Sequence, residues 1–286
     1  MPGRMVRQKR DAAVPEIDRP PFVRLTGQGL HTGAACAITL RPAAPGRGWR
    51  LGGVPVPSLT VIDTRLATTV LTPVGPLMTV EHLFAALAGM GVADVEIEAS
   101  GPEVPALDGS AAPFCAAVRA LALPRPGLPQ RGLEGPVEVT SGPPDGPSAS
   151  ITANPASSFA LDVSSAFPVL GTGRFTGLLD DFETALAPAR TFGFRRDLAD
   201  LRAAGRALGA DLSTCLALDD DGRPLNPGGM RFPDEPFRHK ALDLLGDLGR
   251  LGFLPRAVVR ADAAGHRLHA VLADRLVSVT SRTARS

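Results

Sequence analysis

Hydrophobic and polar positions change period along the chain, and each change marks an element. Residues 22–42, "FVRLTGQGLHTGAACAITLRP", alternate on both sides of a glycine-rich bend and predict a hairpin. "AAPGRGWRLGGVPVPSL" has no sustained period and reads as a Pro/Gly-rich loop. "TTVLTPVGPLMTV" predicts short strands around a turn. "EHLFAALAGMG" then takes a helical period that ends at glycine, and "VADVEIEA" returns to a strand. "AAPFCAAVRALAL" predicts a second helix. Proline and glycine punctuate residues 124–136 throughout, so a linker is expected there, assigned to 127–136.

The second half repeats this grammar. "VEVTSG", "ASITANP" and "SFALDVSSAF" are strand-like, and "FETALAPARTFGFRRDLADLRAAGRALG" reads as mostly helical with an interruption at Pro188. "FRHKALDLLGDLGRLG" predicts an amphipathic helix, followed by the strand "RAVVRAD". A histidine opens one helix in each half, in "HLFAALAGMG" and in "HKALDLLGDLG", and a strand follows each. This suggests an internal duplication of strand and helix units. The expected class is α+β, in two related domains: residues 1–20 as a solvated tail, 21–126 and 137–286 as the domains.

The helix at 237–252 raises a chemical question. Leu242, Leu244, Leu245, Leu248 and Leu251 give it an apolar face, yet His239, Asp243 and Asp247 recur every four residues on one face. Taken alone, the stretch reads most simply as a solvated polar face beside Lys240 and Arg250.

Composition narrows the alternatives. The chain of 286 residues has a formal net charge of +1, which gives no case for a nucleic-acid partner. No run of 18 apolar residues is present, so no transmembrane segment is expected, and the basic N-terminus lacks the apolar core of a secretory signal. Three scattered cysteines, Cys36, Cys115 and Cys215, fit a reducing cytoplasm and rule out a cysteine zinc knuckle. Any metal must be held by His, Asp or Glu, and the chain has only five histidines.

His239 and Asp243, at i and i+4, can both reach one metal from one helix face, much as two histidines do on a metalloprotease helix. His82, which opens the equivalent helix of the other half, is the natural third ligand. Glu81 beside it is a candidate base. His266 follows "ADAAG" at a glycine-marked strand end, where catalytic residues are common, and His269 competes with it.

Five stretches then occur in one order: "GLHTG", "TVEHLFAALAGMGVADVEIEASGPEVPALDGSAAPF", "ARTFGF", "RFPDEPFRHKALDLLGDL" and "AGH". Together they resemble the UDP-3-O-acyl-N-acetylglucosamine deacetylases, zinc enzymes of lipid A biosynthesis, from about residue 22 to about residue 275. The resemblance implies two β-α-α-β domains with their helical layers packed together and the active site between them. It implies His82, His239 and Asp243 as zinc ligands, one ion per chain, though this donor set would also accept ferrous iron. It further implies Glu81 as general base, His266 as general acid, Asp247 as the carboxylate orienting that histidine, and Thr191 as the hydroxyl near the developing oxyanion. Lys240 would meet the nucleotide. Phe192 would belong with Leu198, Leu201, Ala207 and Leu212 to an apolar passage for the acyl chain, in an insert at about 190–217. The expected substrate is an acylated UDP-sugar, and the expected enzyme is a cytoplasmic monomer.

The chain departs from the family pattern at "GADLSTC", residues 209–215, and in the shortened segment after Phe167. Both departures touch acyl and nucleotide surroundings. Two other readings stay open: a zinc amidase acting on another acylated substrate, and a non-catalytic nucleotide-sugar binder. An intact base and acid count against the binder.

Overall fold

A computed structural model describes residues 20–142 and 148–280. The tail expected at 1–20 therefore lies, but for its last residue, outside the described residues. The first half runs β1 (Val23–Gln28), β2 (Ala35–Pro42), β3 (Trp49–Leu51), β4 (Val54–Pro55), β5 (Thr60–Asp63), β6 (Thr69–Thr72), β7 (Gly75–Leu77), α1 (Glu81–Gly89), β8 (Val95–Ser100) and α2 (Ala112–Ala120). The second runs β9 (Gln130–Arg131), β10 (Val137–Ser141), β11 (Ala149–Pro155), β12 (Ala160–Phe167), β13 (Gly171–Gly177), α3 (Phe182–Ala185), β14 (Phe192–Phe194), α4 (Leu198–Ala203), β15 (Leu216–Leu218), α5 (Glu235–Gly249), β16 (Leu254–Pro255), β17 (Ala257–Asp262) and α6 (His266–Val279). The class is α+β.

Each half builds a five-stranded sheet of the same design. The orders are β1-β2-β8-β3-β4 and β10-β11-β17-β12-β13. In both, one pair is parallel (β3 with β8, β12 with β17) and the remaining pairs are antiparallel. The repeat suspected from two helix-opening histidines is a repeat of topology, although the histidines do not open their helices: His82 is the second residue of α1 and His239 the fifth of α5. Extra elements enter both halves at the same point, after the fourth strand of the five-stranded sheet and before α1 or α5. They are the three-stranded sheet β5-β6-β7 in the first half, and the parallel pair β14-β15 with α4 in the second.

The two halves meet through their helices: α1 packs along α5, while α5 and α6 also cover the second sheet. α1 is buried from Glu81 to Ala88, because it lies inside this helical layer, and its nearly unbroken apolar sequence suits a helix with no solvent face. α5 likewise buries its leucines together with His239, Asp243 and Asp247, so the stripe is not a solvated polar face. Its start is favourable, with Pro236 in the first turn and the Glu235 carboxylate near the positive end of the helix.

Four local readings need correction. The stretch "FETALAPARTFGFRRDLADLRAAGRALG" is mostly not helical: only Phe182–Ala185 and Leu198–Ala203 are α-helical, and Phe192–Phe194 is a strand. Its pairing with Leu216–Leu218, 24 residues on, outweighs local helical propensity. The supposed loop "AAPGRGWRLGGVPVPSL" contains β3 and β4, held because Trp49–Leu51 join β8. The linker contributes β9, which pairs with β16. Finally, His266 does not sit in a strand-end turn. It is the first residue of α6, a helix whose buried Leu268, Leu272 and Leu276 recur every four residues.

Candidate active site

The first turn of α1, the stretch of α5 from His239 to Asp247 and the start of α6 converge on one buried cluster. His82 Nε2 lies 3.8 Å from Asp243 Oδ1, and His239 Nε2 lies 3.2 Å from the same oxygen. The two imidazoles meet edge to face, with centroids 4.9 Å apart. One ligand atom from each of the three residues falls within 4.8 Å of the others. Asp243 Oδ1 is buried and has no hydrogen-bond partner within the protein. A buried acceptor without a donor is costly, so this oxygen is suited to a cation. The His239 Nδ1 lies 3.1 Å from the Ala189 carbonyl; donating there leaves Nε2 its lone pair toward His82 and Asp243. Burial, with His239 adding to it, pushes the His82 ring down to about 3, which keeps it neutral and able to ligate. For Asp243, burial favours the neutral acid, but His239 and Lys240 outweigh it and hold the carboxyl well below its usual range. Lys240 Nζ donates to the other carboxylate oxygen at 2.9 Å. These residues fit a divalent metal.

A second cluster adjoins the first. Asp247 accepts three bonds: from Thr68 Oγ1 at 2.5 Å, His266 Nδ1 at 2.8 Å and His269 Nδ1 at 2.7 Å. The geometry separates the competing histidines. His266 turns Nε2 toward the first cluster, 4.0 Å from Glu81 Oε1 and 3.9 Å from Asp243 Oδ2. His269 is almost wholly enclosed and bonds the same Asp247 oxygen, Oδ2, as His266. Burial opposes the charge of His266, but Asp247 and Glu81 more than offset it, and its pKa is pushed up to about 9. Burial instead lowers His269 despite Asp247. Glu81 Oε2 accepts the Thr68 amide at 3.0 Å. Burial is the main reason its carboxyl is pushed up to about 8. The His266 charge opposes that rise, and Asp247 and Asp243 add to it.

Two cavities, each of about 430 Å³, lie here, the first against the clusters and the second beyond it. One is lined by His239, Lys240, Asp243, His266, Thr191 and Phe192, among others. The other shares Thr191 and Phe192 with it and is walled by Leu198, Leu201, Ala207 and Leu212. Every sequence-derived candidate therefore borders one of these cavities or the buried clusters behind them. Phe192 stands edge-on to His239 at 6.4 Å and to Phe167 at 5.1 Å.

Sequence reasoning missed several supports. Thr68 links Glu81 to Asp247, yet a lone threonine in "ATTVLT" carries no signal. Glu103, fully buried, accepts the amides of His31 and Thr32 and the hydroxyls of Thr32 and Thr79, and so pins the "GLHTG" bend. Arg190 donates from its backbone and guanidinium to Glu235, tying "ARTFGF" to the start of α5. A charged pair split between two motifs was legible in principle, but its partners stand 45 residues apart.

Comparison with known proteins gives a consistent answer. The model of one protein family, UDP-3-O-acyl N-acetylglycosamine deacetylase, matches residues 21–278. Among proteins named UDP-3-O-acyl-N-acetylglucosamine deacetylase, the one from Myxococcus xanthus (strain DK1622) is 39% identical over 270 residues, 89% of this chain and 83% of its own length. That from Thermosynechococcus vestitus (strain NIES-2133 / IAM M-273 / BP-1) is 40% identical over 265 residues, 87% of this chain and 89% of its own. That from Anaeromyxobacter sp. (strain Fw109-5) is 37% identical over 268 residues, 90% and 86%.

Proposed function

Since the chain belongs to the UDP-3-O-acyl N-acetylglycosamine deacetylase family, we propose that it hydrolyses the N-acetyl group of a UDP-3-O-(3-hydroxyacyl)-N-acetylglucosamine. The products are acetate and the free glucosamine nucleotide, a step of lipid A biosynthesis. The observation that carries this reading is the unpartnered Asp243 Oδ1 beside two imidazole Nε2 atoms, with Glu81 and His266 at its edge. A divalent ion held by His82, His239 and Asp243, zinc in this proposal, would supply Lewis acidity toward the amide carbonyl and acidify water.

The side chains do the rest. Glu81, held by the Thr68 amide, takes the proton of the attacking water as its oxygen bonds to the acetyl carbon. The charge on His266 favours the ionised carboxylate that this step needs. Thr191, bordering both cavities, meets the carbonyl oxygen as negative charge develops there. His266 stays protonated on Asp247, faces that charge, and gives its Nε2 proton to the sugar nitrogen as the C–N bond breaks. Asp247 cannot swing away, because Thr68 holds its Oδ1 and His269 shares its Oδ2 with His266. Lys240 meets the nucleotide, and the apolar cavity takes the acyl chain.

All three ligands come from one chain, so a monomer suffices. No helix among the described residues is long and apolar enough to cross a membrane, and all three cysteines are unpaired. Both features support a cytoplasmic site of action. The test is mass spectrometry of acetate release from acylated UDP-N-acetylglucosamine, with and without a chelator. Release that the chelator stops is expected. Release unaffected by complete metal removal overturns the metal-dependent reading.

A further inference from the structure

We propose that the ion pair between Asp63 and Arg206 positions the wall between the two cavities and so sets the acyl-chain length the enzyme prefers; this rests on the deacetylase reading above. Asp63 ends β5, in the extra elements of the first half, and Arg206 follows α4, in those of the second. Arg206 Nη2 donates to Asp63 Oδ2 at 3.0 Å, and its Nη1 donates to Met78 Sδ at 3.0 Å. The Arg206 and Asp63 side chains are only 16% and 22% exposed. Arg65, the other partner of this carboxylate, is 81% exposed, so Arg206 is the inward tie. Partial burial makes such a pair more specific in geometry than a solvated one.

What the pair holds is the reason to single it out. Ala207, next to Arg206, lines the apolar cavity with its backbone at φ 53°. The residues after it are already fixed elsewhere, since the Leu208 and Gly209 amides donate to the His31 and Leu30 carbonyls. On the other side, Leu66 sits three residues after Asp63 at φ 67° and lines both cavities. Two residues further, Thr68 holds Glu81 and Asp247. One short segment thus joins the Asp63 tie, the shared wall and the support of the acid and base. Neither Asp63 nor Arg206 is among the residues lining either cavity, so both act through Leu66 and Ala207 and are positioning residues. A wall fixed from behind narrows the passage at a set depth. A wall released from its tie yields to longer chains.

The experiment measures kcat and KM over a series of 3-O-acyl lengths for the wild type, Asp63→Asn, Arg206→Met and the double variant, with metal content and hydrogen exchange over residues 64–68. In each single variant, discrimination between the best chain and one several methylenes longer is expected to fall about fivefold, mostly through KM, at unchanged metal content. Exchange over 64–68 should quicken. The double variant should match the singles, because both act through one contact, and Arg206→Lys should keep most of the discrimination. Equal changes at every length, or losses that multiply in the double variant, overturn the proposal. A wild type that releases acetate from no member of the series overturns the deacetylase reading itself, and that result is visible in the wild-type arm alone.

Discussion

Gly246 of α5 lies against the backbone of Glu81 at the start of α1, so closely that a β-carbon there would collide with the Glu81 carbonyl oxygen. This contact sets how near the two helices come, and so how His82 meets His239 and Asp243. In the proposed metal site Gly246 would therefore influence binding although it bears no ligand. Gly246→Ala should push the helices apart by a few tenths of an ångström or more. We expect at least about a tenfold loss of metal affinity and about 1–3 kcal/mol of stability. Metal titration with thermal unfolding checks both, and an unchanged affinity would show that the ligand set tolerates the shift.

His239→Ala or Asp243→Ala should abolish tight metal binding, while the wild type carries about one divalent ion per chain. Elemental analysis decides this, and it also reports whether the ion is zinc or iron. Full occupancy in His239→Ala would sink the ligand assignment.

The base and acid should act on rate and not on the metal. Glu81→Ala and His266→Ala should each lose on the order of 10²-fold or more in kcat with the ion retained, and together less than the product of the two. His269→Ala should cost rate only through a less rigid Asp247. A larger loss in His269→Ala than in His266→Ala would reverse the roles assigned to the two rings.

The apolar cavity can be narrowed from α4. Leu198 and Leu201, one helical turn apart, both line it. Leu198→Trp should cut kcat/KM on long-chain substrate far more than on short, since each methylene denied burial forfeits about 0.8 kcal/mol. Equal losses at all lengths, with a lowered Tm, would mean that Leu198 only supports the fold.

Glu235 provides a pH-dependent contribution to stability away from the ligand set. Burial favours its neutral form, but the bonds from Arg190 and the Arg231 amide outweigh burial and hold its carboxyl below the usual range. Its folded pKa is depressed, so the contribution is present above the unfolded pKa and is lost as pH falls through the folded one. Glu235→Gln should therefore cost about 3–5 kcal/mol near neutrality by breaking a buried pair. The difference from wild type should shrink below about pH 4. Denaturant unfolding across that range checks the slope, and a constant difference would contradict it.

The sequence by itself determined what depends on near neighbours. The four-residue recurrence of His239, Asp243 and Asp247 placed them on one helix face, and a histidine early in each of two helices pointed to a duplicated α+β chain with His82 as a candidate third ligand. Helical and strand periods are set by contacts a few residues apart, so they can be read along the chain. Tertiary structure decided everything that rests on distant backbone. The strand at Phe192–Phe194 exists because Leu216–Leu218 pairs with it. That His266 turns Nε2 toward Glu81 and Asp243 while both His266 and His269 bond Asp247 depends on where α6 meets α5, and Thr68 joins Asp247 through a hydrogen bond spanning 179 residues. Such contacts cost chain entropy to close and form only when the whole fold supports them, so no local pattern announces them.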